Sequence, residues 1–384
     1  MHGQTAVEPD RELMERVAAS GGADLKKCMQ CSTCTCVCSL STQEDGFPRK
    51  QVLHAQWGLK DKLLADVGPW LCHYCGDCSR NCPRQANPGE AMMALRRYLT
   101  AQYDWTGLAR LMYRSEAWNI GILAAVALLV VGLFTVPDHF GFGLLVRSGP
   151  LPFSTVMLDR FAPKDIVHTG DRILAALLGV LLLGNAARMF RSATRDSRIP
   201  VRVYWQRLPE LLVQGVTQKR WRECGADSAR NWVRHLLLVT GYATIFILVV
   251  VFLPWFQVED HSFHWSSLLG YYASAMLLGA TAWMIADRLR ARDEMHRFSQ
   301  LSDWLFPGLL FLTALTGVLL NVFRLLDQPM PTYVLYVVHL AIAVPMLAVE
   351  VPFGKWAHLV YRPLAIYIAA VKRTAMESEG FSSN

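Results

Sequence analysis

Charge is scarce in this chain: Asp, Glu, Lys and Arg make up 18% of its 384 residues, against 53% hydrophobic ones. The basic residues behind the net charge of +7 flank apolar stretches and form no separate basic domain, which argues against nucleic-acid binding. Cysteine is nearly missing beyond residue 82, where only Cys224 remains. The other nine lie in two tight runs, an arrangement that argues against a disulfide framework. The opening residues Met1, His2, Gly3 and Gln4 show no apolar leader, so the runs are expected to stay in the reducing cytoplasm. No Gly-rich run sits between a strand and a helix, and the chain is expected to bind no flavin or nicotinamide of its own.

What is present begins with those runs, Cys28-x2-Cys31-x2-Cys34-x3-Cys38 and Cys72-x2-Cys75-x2-Cys78-x3-Cys82-Pro83. This is the spacing of a bacterial two-cluster ferredoxin, in which the fourth cysteine of each run ligates the other cluster. The expected sets are therefore crossed. Cys28, Cys31, Cys34 and Cys82 hold one [4Fe–4S] cluster, and Cys72, Cys75, Cys78 and Cys38 hold the second. Zinc sites use paired CxxC hooks instead. The first run departs from the pattern with Ser39 after Cys38 and with an extra Cys36. Cys36 is read as a packed neighbour, the alternative being that it displaces Cys34 or Cys38 as a ligand. His73 is read either as a hydrogen-bonding neighbour of a cluster sulfur or as an exposed loop residue.

The pattern predicts a short polar helix from Asp10 to Ala19 and a helix from Pro48 to Asp66. Another follows from Glu90 to about Tyr103, with Met93, Leu95 and Leu99 inward. Beyond them lie six apolar spans, at 117–136, 169–190, 233–253, 264–286, 304–323 and 333–352, each near the ~20 residues that cross a bilayer core. The expected fold is mainly α: an N-terminal two-[4Fe–4S] ferredoxin-like domain (1–101), a linker (102–116), a six-helix transmembrane cytochrome b bundle (117–371) and a tail (372–384). Arg and Lys crowd the connections 191–232 and 287–303 and are absent from 254–263. The expected location is thus the inner membrane, multi-pass, with both termini cytoplasmic. Within 191–232, Trp205, Leu208, Leu212 and Val216 among basic residues suggest a surface-lying amphipathic helix or a docking segment for a soluble partner. Cys224, in the same basic loop, is read as structural or incidental.

An ionisable group inside a span is costly and usually has a job. His339 lies in the last span and His358 lies 19 residues further on, roughly 28 Å along one helix. That geometry suits two stacked b haems, each iron taking imidazoles from two helices. His235 pairs with His358 at the inner face. For the outer haem, His339 pairs with His264, with His168 as competitor and His261 read as interfacial. His168, Asp171 and Arg172 are the candidate quinone-site residues, as ionisable groups at an apolar span edge.

The stretch Pro352-Phe353-Gly354-Lys355-Trp356-Ala357-His358, with His339 upstream, resembles the last helix of nitrate reductase gamma subunits, whose corresponding histidines ligate two haems. The span opening Arg234-His235-Leu236-Leu237-Leu238 and the cluster segment resemble the membrane and small iron–sulfur subunits of heterodisulfide reductases. The fusion, cluster domain first, resembles the C subunits of the quinone-interacting membrane-bound oxidoreductase (Qmo) complexes of sulfate reducers. Gamma subunits carry two haem ligands on one earlier helix, whereas the third span here offers only His235. The resemblance implies a quinone-reactive electron-transfer subunit that draws electrons from menaquinol. It implies flavin-bearing soluble subunits A and B as partners and adenylylsulfate reductase downstream, in sulfate respiration. The rival is a heterodisulfide reductase-like complex acting on a thiol/disulfide couple, whose catalytic CCG motif is absent here and would need a partner.

Overall fold

The computed structural model describes residues 8–43, 45–135, 154–195, 197, 199–223, 228–252, 255, 265, 267–291 and 294–381. Among them every regular element is helical. The cluster segment is built from short pieces: α1 (Leu13–Val17), α2 (Thr33–Val37), α3 (Arg49–Gln56), α4 (Lys60–Ala65) and α5 (Asp77–Arg80). The single helix expected from Pro48 to Asp66 is divided at Gly58, whose φ is +70°. A Cβ there would lie 2.5 Å from the Asp10 carbonyl oxygen, and Gly58 O accepts the Asp10 N–H at 2.9 Å. Only glycine lets the N-terminal segment approach that closely.

These pieces wrap α6 (Pro88–Tyr103), whose start uses Pro88 at its first position, where the missing N–H costs nothing. Met93, Leu95 and Leu99 are buried as expected, and Ala94, Tyr98 and Arg97 on the other sides are buried too. The helix is central because the core does not stop at the cluster segment. Leu13, Val52, Leu95 and Leu99 share one apolar cluster with Met189, Tyr361 and Ala365 from the membrane part. Tyr361 packs its ring 4.8 Å from Trp70 and 5.6 Å from Tyr103. Each large side chain so buried contributes roughly 1.5–3 kcal/mol.

After α7 (Leu108–Arg114) come six helices long and apolar enough to cross a membrane: α8 (Glu116–Thr135), α9 (Lys164–Thr194), α12 (Ser228–Val250), α13 (Ser267–Leu289), α14 (Leu301–Leu325) and the run Pro329–Phe353, which opens with α15 (Pro329–Pro345). Between α9 and α12 lie α10 (Val201–Arg207) and α11 (Pro209–Thr217). Leu128 and Leu183 are each 70% exposed, which lipid tolerates and water does not. Helices α12 and α13 pack together, α13 on α14, α14 on α15, and α15 on α8. Gly241 sets the first of these crossings: a Cβ would stand 3.0 Å from the Met276 Cβ.

The last span differs from expectation. Helix α15 runs into a π-helical turn, Met346–Glu350, then Val351–Phe353, and stops at Gly354, whose ψ is −155°. His358 opens a separate helix, α16 (His358–Phe381), so His339 and His358 do not share one helix. Pro345, Pro352 and Gly354 together disrupt the i→i−4 ladder. Residues 372–381 continue α16.

Charge anchors the cluster segment to the bundle. Arg97 of α6 bonds Glu90 at 2.8 Å and Asp303 of α14 at 3.1 Å, and Lys355 reaches the other Asp303 oxygen at 2.6 Å. Arg97, Glu90 and Asp303 are all buried. Removing one partner of such a group leaves charges stranded, at ~3–5 kcal/mol. Asp303→Ala is expected to loosen the docked segment by that amount, read as faster amide hydrogen exchange along residues 88–103 of the full chain in detergent. Exchange equal to the parent's would refute the anchoring role.

Candidate redox centres

The two cysteine runs follow the same backbone path. Gln30 and Tyr74, each just before the second cysteine of its run, have φ of 61° and 56°. Ser32 and Gly76, each just after it, have φ of 73° and 85°. Two left-handed residues per run curl the chain around the thiols and turn successive N–H groups inward, a concavity suited to an anionic centre. A short helix then follows in each case, α2 or α5. Donors reach the sulfurs: Tyr74 N–H to Cys72 Sγ at 3.3 Å and Ala86 N–H to Cys82 Sγ at 3.3 Å.

The thiols fall into two electrostatic neighbourhoods. Burial pushes the Cys34 thiol up, and Cys28, Cys82 and Cys31 beside it add to the rise. Burial pushes Cys38 up to about 11, with Cys72 and Cys75 as its charged neighbours. Cys78, raised first by burial, faces Cys72, Cys75 and Cys38, and also Cys34 of the first run. The assignment of the thiols to two crossed sets is the expectation drawn from the spacing. Cys36 is exposed. Cys38, Cys72, Cys75 and Cys78 line one cavity of ≈ 210 Å³, closed by Phe47 and Met92. Without metal these buried thiols are protonated; iron is what holds them as thiolates.

A second cavity, of ≈ 220 Å³, opens behind the second run. His235 of α12 and His358 at the start of α16 both line it, as does His73. The His358 Nδ1–H donates to Lys355 O at 2.6 Å, leaving Nε2 bare. His235 carries a buried Nδ1 with no partner. Six cations line the space, Arg96, Arg97, Arg234, Arg288, Lys355 and Arg362, against the carboxylate of Asp303. Such a lining suits a large planar group bearing carboxylates. His73 is neither exposed nor on a sulfur. The Arg362 guanidinium donates to its Nδ1 at 3.0 Å, and burial, followed by the charges of Arg362, Arg220 and Arg96, drives it down to about 3. Trp221 stands between the two histidines, 4.7 Å from the His235 ring and 5.9 Å from His73, with Arg362 4.5 Å above it.

At the opposite end of the bundle His339 repeats the bonding of His358. Thr316 Oγ1 gives its proton to Leu312 O at 2.7 Å, so it accepts from the His339 Nδ1 at 3.0 Å and again leaves Nε2 bare. Gly317 makes room, since a Cβ there would come within 3.3 Å of the ring. His168 is buried with Nε2 3.3 Å from Val250 O. Asp171 interacts with His168 and with Tyr336, one turn before His339. Arg172 is exposed and takes no part in this group. His264, His261 and Cys224 lie outside the described residues.

Thr316, Trp221, Tyr336 and Arg362 escape a sequence reading, since nothing in their local sequence signals a distant histidine. Cys38→Ser is expected to lower cluster iron from about eight to about four per chain, whereas Cys36→Ser leaves it whole, by iron and labile-sulfide assay. The reverse result would exchange their roles.

Residues 24–86 match the family of 4Fe-4S dicluster domains. A protein of Archaeoglobus profundus, similar to the C subunits of heterodisulfide reductases, is 35% identical over 103 residues, 27% of this chain and 55% of that protein. The C subunit of the H2:CoB-CoM heterodisulfide,ferredoxin reductase of Methanothermobacter thermautotrophicus is 37% identical over 76 residues, 20% of this chain and 41% of that one. The E subunit of the dihydromethanophenazine:CoB–CoM heterodisulfide reductase of Methanosarcina thermophila is 28% identical over 160 residues, 36% of this chain and 58% of that one. The chain spans about half the length of the curated relatives it matches. No solved structure matches. The cysteine segment is thus similar to domains built for two [4Fe–4S] clusters, joined here to six helices fit to cross a membrane.

Proposed function

We propose that this chain is the membrane subunit of an oxidoreductase complex, taking electrons from menaquinol and passing them through b haems and two [4Fe–4S] clusters to soluble flavoprotein subunits. The observation that carries the reading is one cavity lined by His235, His358 and the His73 of the second cysteine run. Haem b there, and clusters on the two cysteine sets, would supply one-electron carriage.

The chain's own residues do the rest. His235 and His358 would each offer an imidazole nitrogen to the haem, and Lys355 O fixes the His358 tautomer. The cationic lining would receive its carboxylates. Trp221 and Arg362 fill the gap towards His73 and the second cysteine set, excluding water from the route. At the other end His339, held by Thr316, would hold a second haem, with Asp171, His168 and Tyr336 nearby to accept quinol protons. The first cysteine set, with Cys31 exposed and Met29 and Trp57 exposed on the same segment, is the side that meets the soluble subunits. In this reading the cluster segment is cytoplasmic and lies at the inner membrane, in keeping with the arginines at 191–232 and 287–303. It makes the chain a Qmo-type C subunit, with subunits A and B as partners and adenylylsulfate reductase downstream. The relatives' names favour a second reading, a membrane and iron–sulfur subunit of a heterodisulfide reductase-like complex.

A visible spectrum tests the core of both: purified protein is expected to show a sharp Soret band over broad brown absorption, and colourless protein would end either reading. His358→Ala and His339→Ala are each expected to remove one haem, counted as pyridine haemochrome; a full complement in either refutes that ligand. Asp171→Asn is expected to slow haem reduction by a menaquinol analogue ~10²-fold with haem content unchanged; an unaltered rate moves the quinol site elsewhere. Oxidation of the reduced protein by a disulfide, with no response to the menaquinol analogue, would select the second reading.

A further inference from the structure

One buried acid has no role in what precedes. Glu350 closes the π-helical turn Met346–Glu350, three residues before the end of the span Pro329–Phe353 nearest the cluster segment. Its side chain is 0% exposed, and neither carboxyl oxygen has a hydrogen-bond partner. Among the described residues the groups facing it are the Asn119 amide of α8, the Lys355 backbone N–H and the Tyr113 phenol of α7. Asn119 and Lys355 stand beside it outside hydrogen-bond geometry, and Asn119 Oδ1 is itself unpartnered. Position 354 is glycine for this reason: a Cβ there would overlap Glu350 Oε2.

The contrast with the neighbouring carboxylates is informative. Glu90 and Asp303 are equally buried, but Arg97 and Lys355 answer them, two charges against two. Among the described residues no cation is paired with Glu350, so ionising it places a charge without a direct partner in a low-dielectric region. A carboxylate so placed stays ionised only while net positive charge stands nearby, and takes up a proton when that charge falls. An unpaired acid contributes nothing to stability, and a π-turn inside a span is a common mark of function. The acid is also not isolated from the redox cavity. Tyr113, Gly354 and Lys355 all line it, together with Arg97 and Asp303, whose charges act on Tyr113.

We propose that Glu350 is a proton-binding site coupled to the electron occupancy of the cavity between His235 and His358. The proposal rests on reading those histidines as haem ligands. An electron held between those histidines would add one negative charge to the cavity. Glu350 offsets it, –COO⁻ + H⁺ → –COOH, with the proton drawn from water at the cluster-segment side past Tyr113. When the electron moves on to the second cluster, the carboxyl returns its proton the same way. Like charges in a low dielectric repel strongly enough to drive both halves.

The test is a spectroelectrochemical titration of the full-length protein in nanodiscs across neutral pH. Infrared difference spectra, reduced minus oxidised, are collected in parallel. In the parent, the midpoint potential of the haem lost in His358→Ala falls as pH rises, and a protonated-carboxyl C=O band appears on reduction. In Glu350→Gln, which keeps the side-chain shape and removes an unpaired acid, haem content is unchanged, the potential is flat with pH and the band is gone. Tyr113→Phe keeps the slope and slows proton equilibration. A flat potential in a haem-replete parent, or the same slope and band in Glu350→Gln, overturns this proposal alone. A parent without haem overturns the ligand reading and this proposal with it.

Discussion

The Arg97–Asp303 ion pair, buried between α6 and α14, fixes the relation of the two halves of the molecule. Desolvating a guanidinium and a carboxylate is expensive, and the cost is offset only because every arm is used. Arg97 also reaches Glu90 and the Ser20 carbonyl, and Asp303 also holds Lys355 and the Gln300 N–H. A group so satisfied has one geometry. It thereby sets how far the second cysteine set stands from the cavity of His235 and His358, the distance on which electron transfer depends most steeply.

The same economy governs the histidines. His339 and His358, at opposite ends of the bundle, each surrender the Nδ1 proton to an acceptor of a neighbouring turn, Thr316 Oγ1 or Lys355 O. Each therefore presents Nε2 without a proton and in a fixed orientation, the form a metal binds. The cationic lining at one end and the Asp171–His168–Tyr336 group at the other divide charge handling between the two faces. Glu350, at the cluster-segment end of its span, is a third group of distinct character, a buried carboxyl without a direct partner.

Much of this is legible in the chain. The Cys28–Cys38 and Cys72–Cys82 runs carry their spacing within a few residues, and both follow the same left-handed backbone path. The six spans need only their apolar length. The break at Gly354 is misread from sequence, because a continuous apolar stretch hides a π-turn and an extended glycine that tertiary packing stabilises. His73 is misread for a different reason: its partner, Arg362, lies 289 residues away.

The sequence by itself determined the kinds of element, clustered thiols and apolar helices, since both are periodic or closely spaced patterns that short-range geometry enforces. Only the tertiary structure decided which imidazoles share a cavity, which carboxylates are neutralised and which one is left alone. Those outcomes depend on desolvation and on contacts such as Arg97 to Asp303, across 206 residues of chain, that no local pattern encodes.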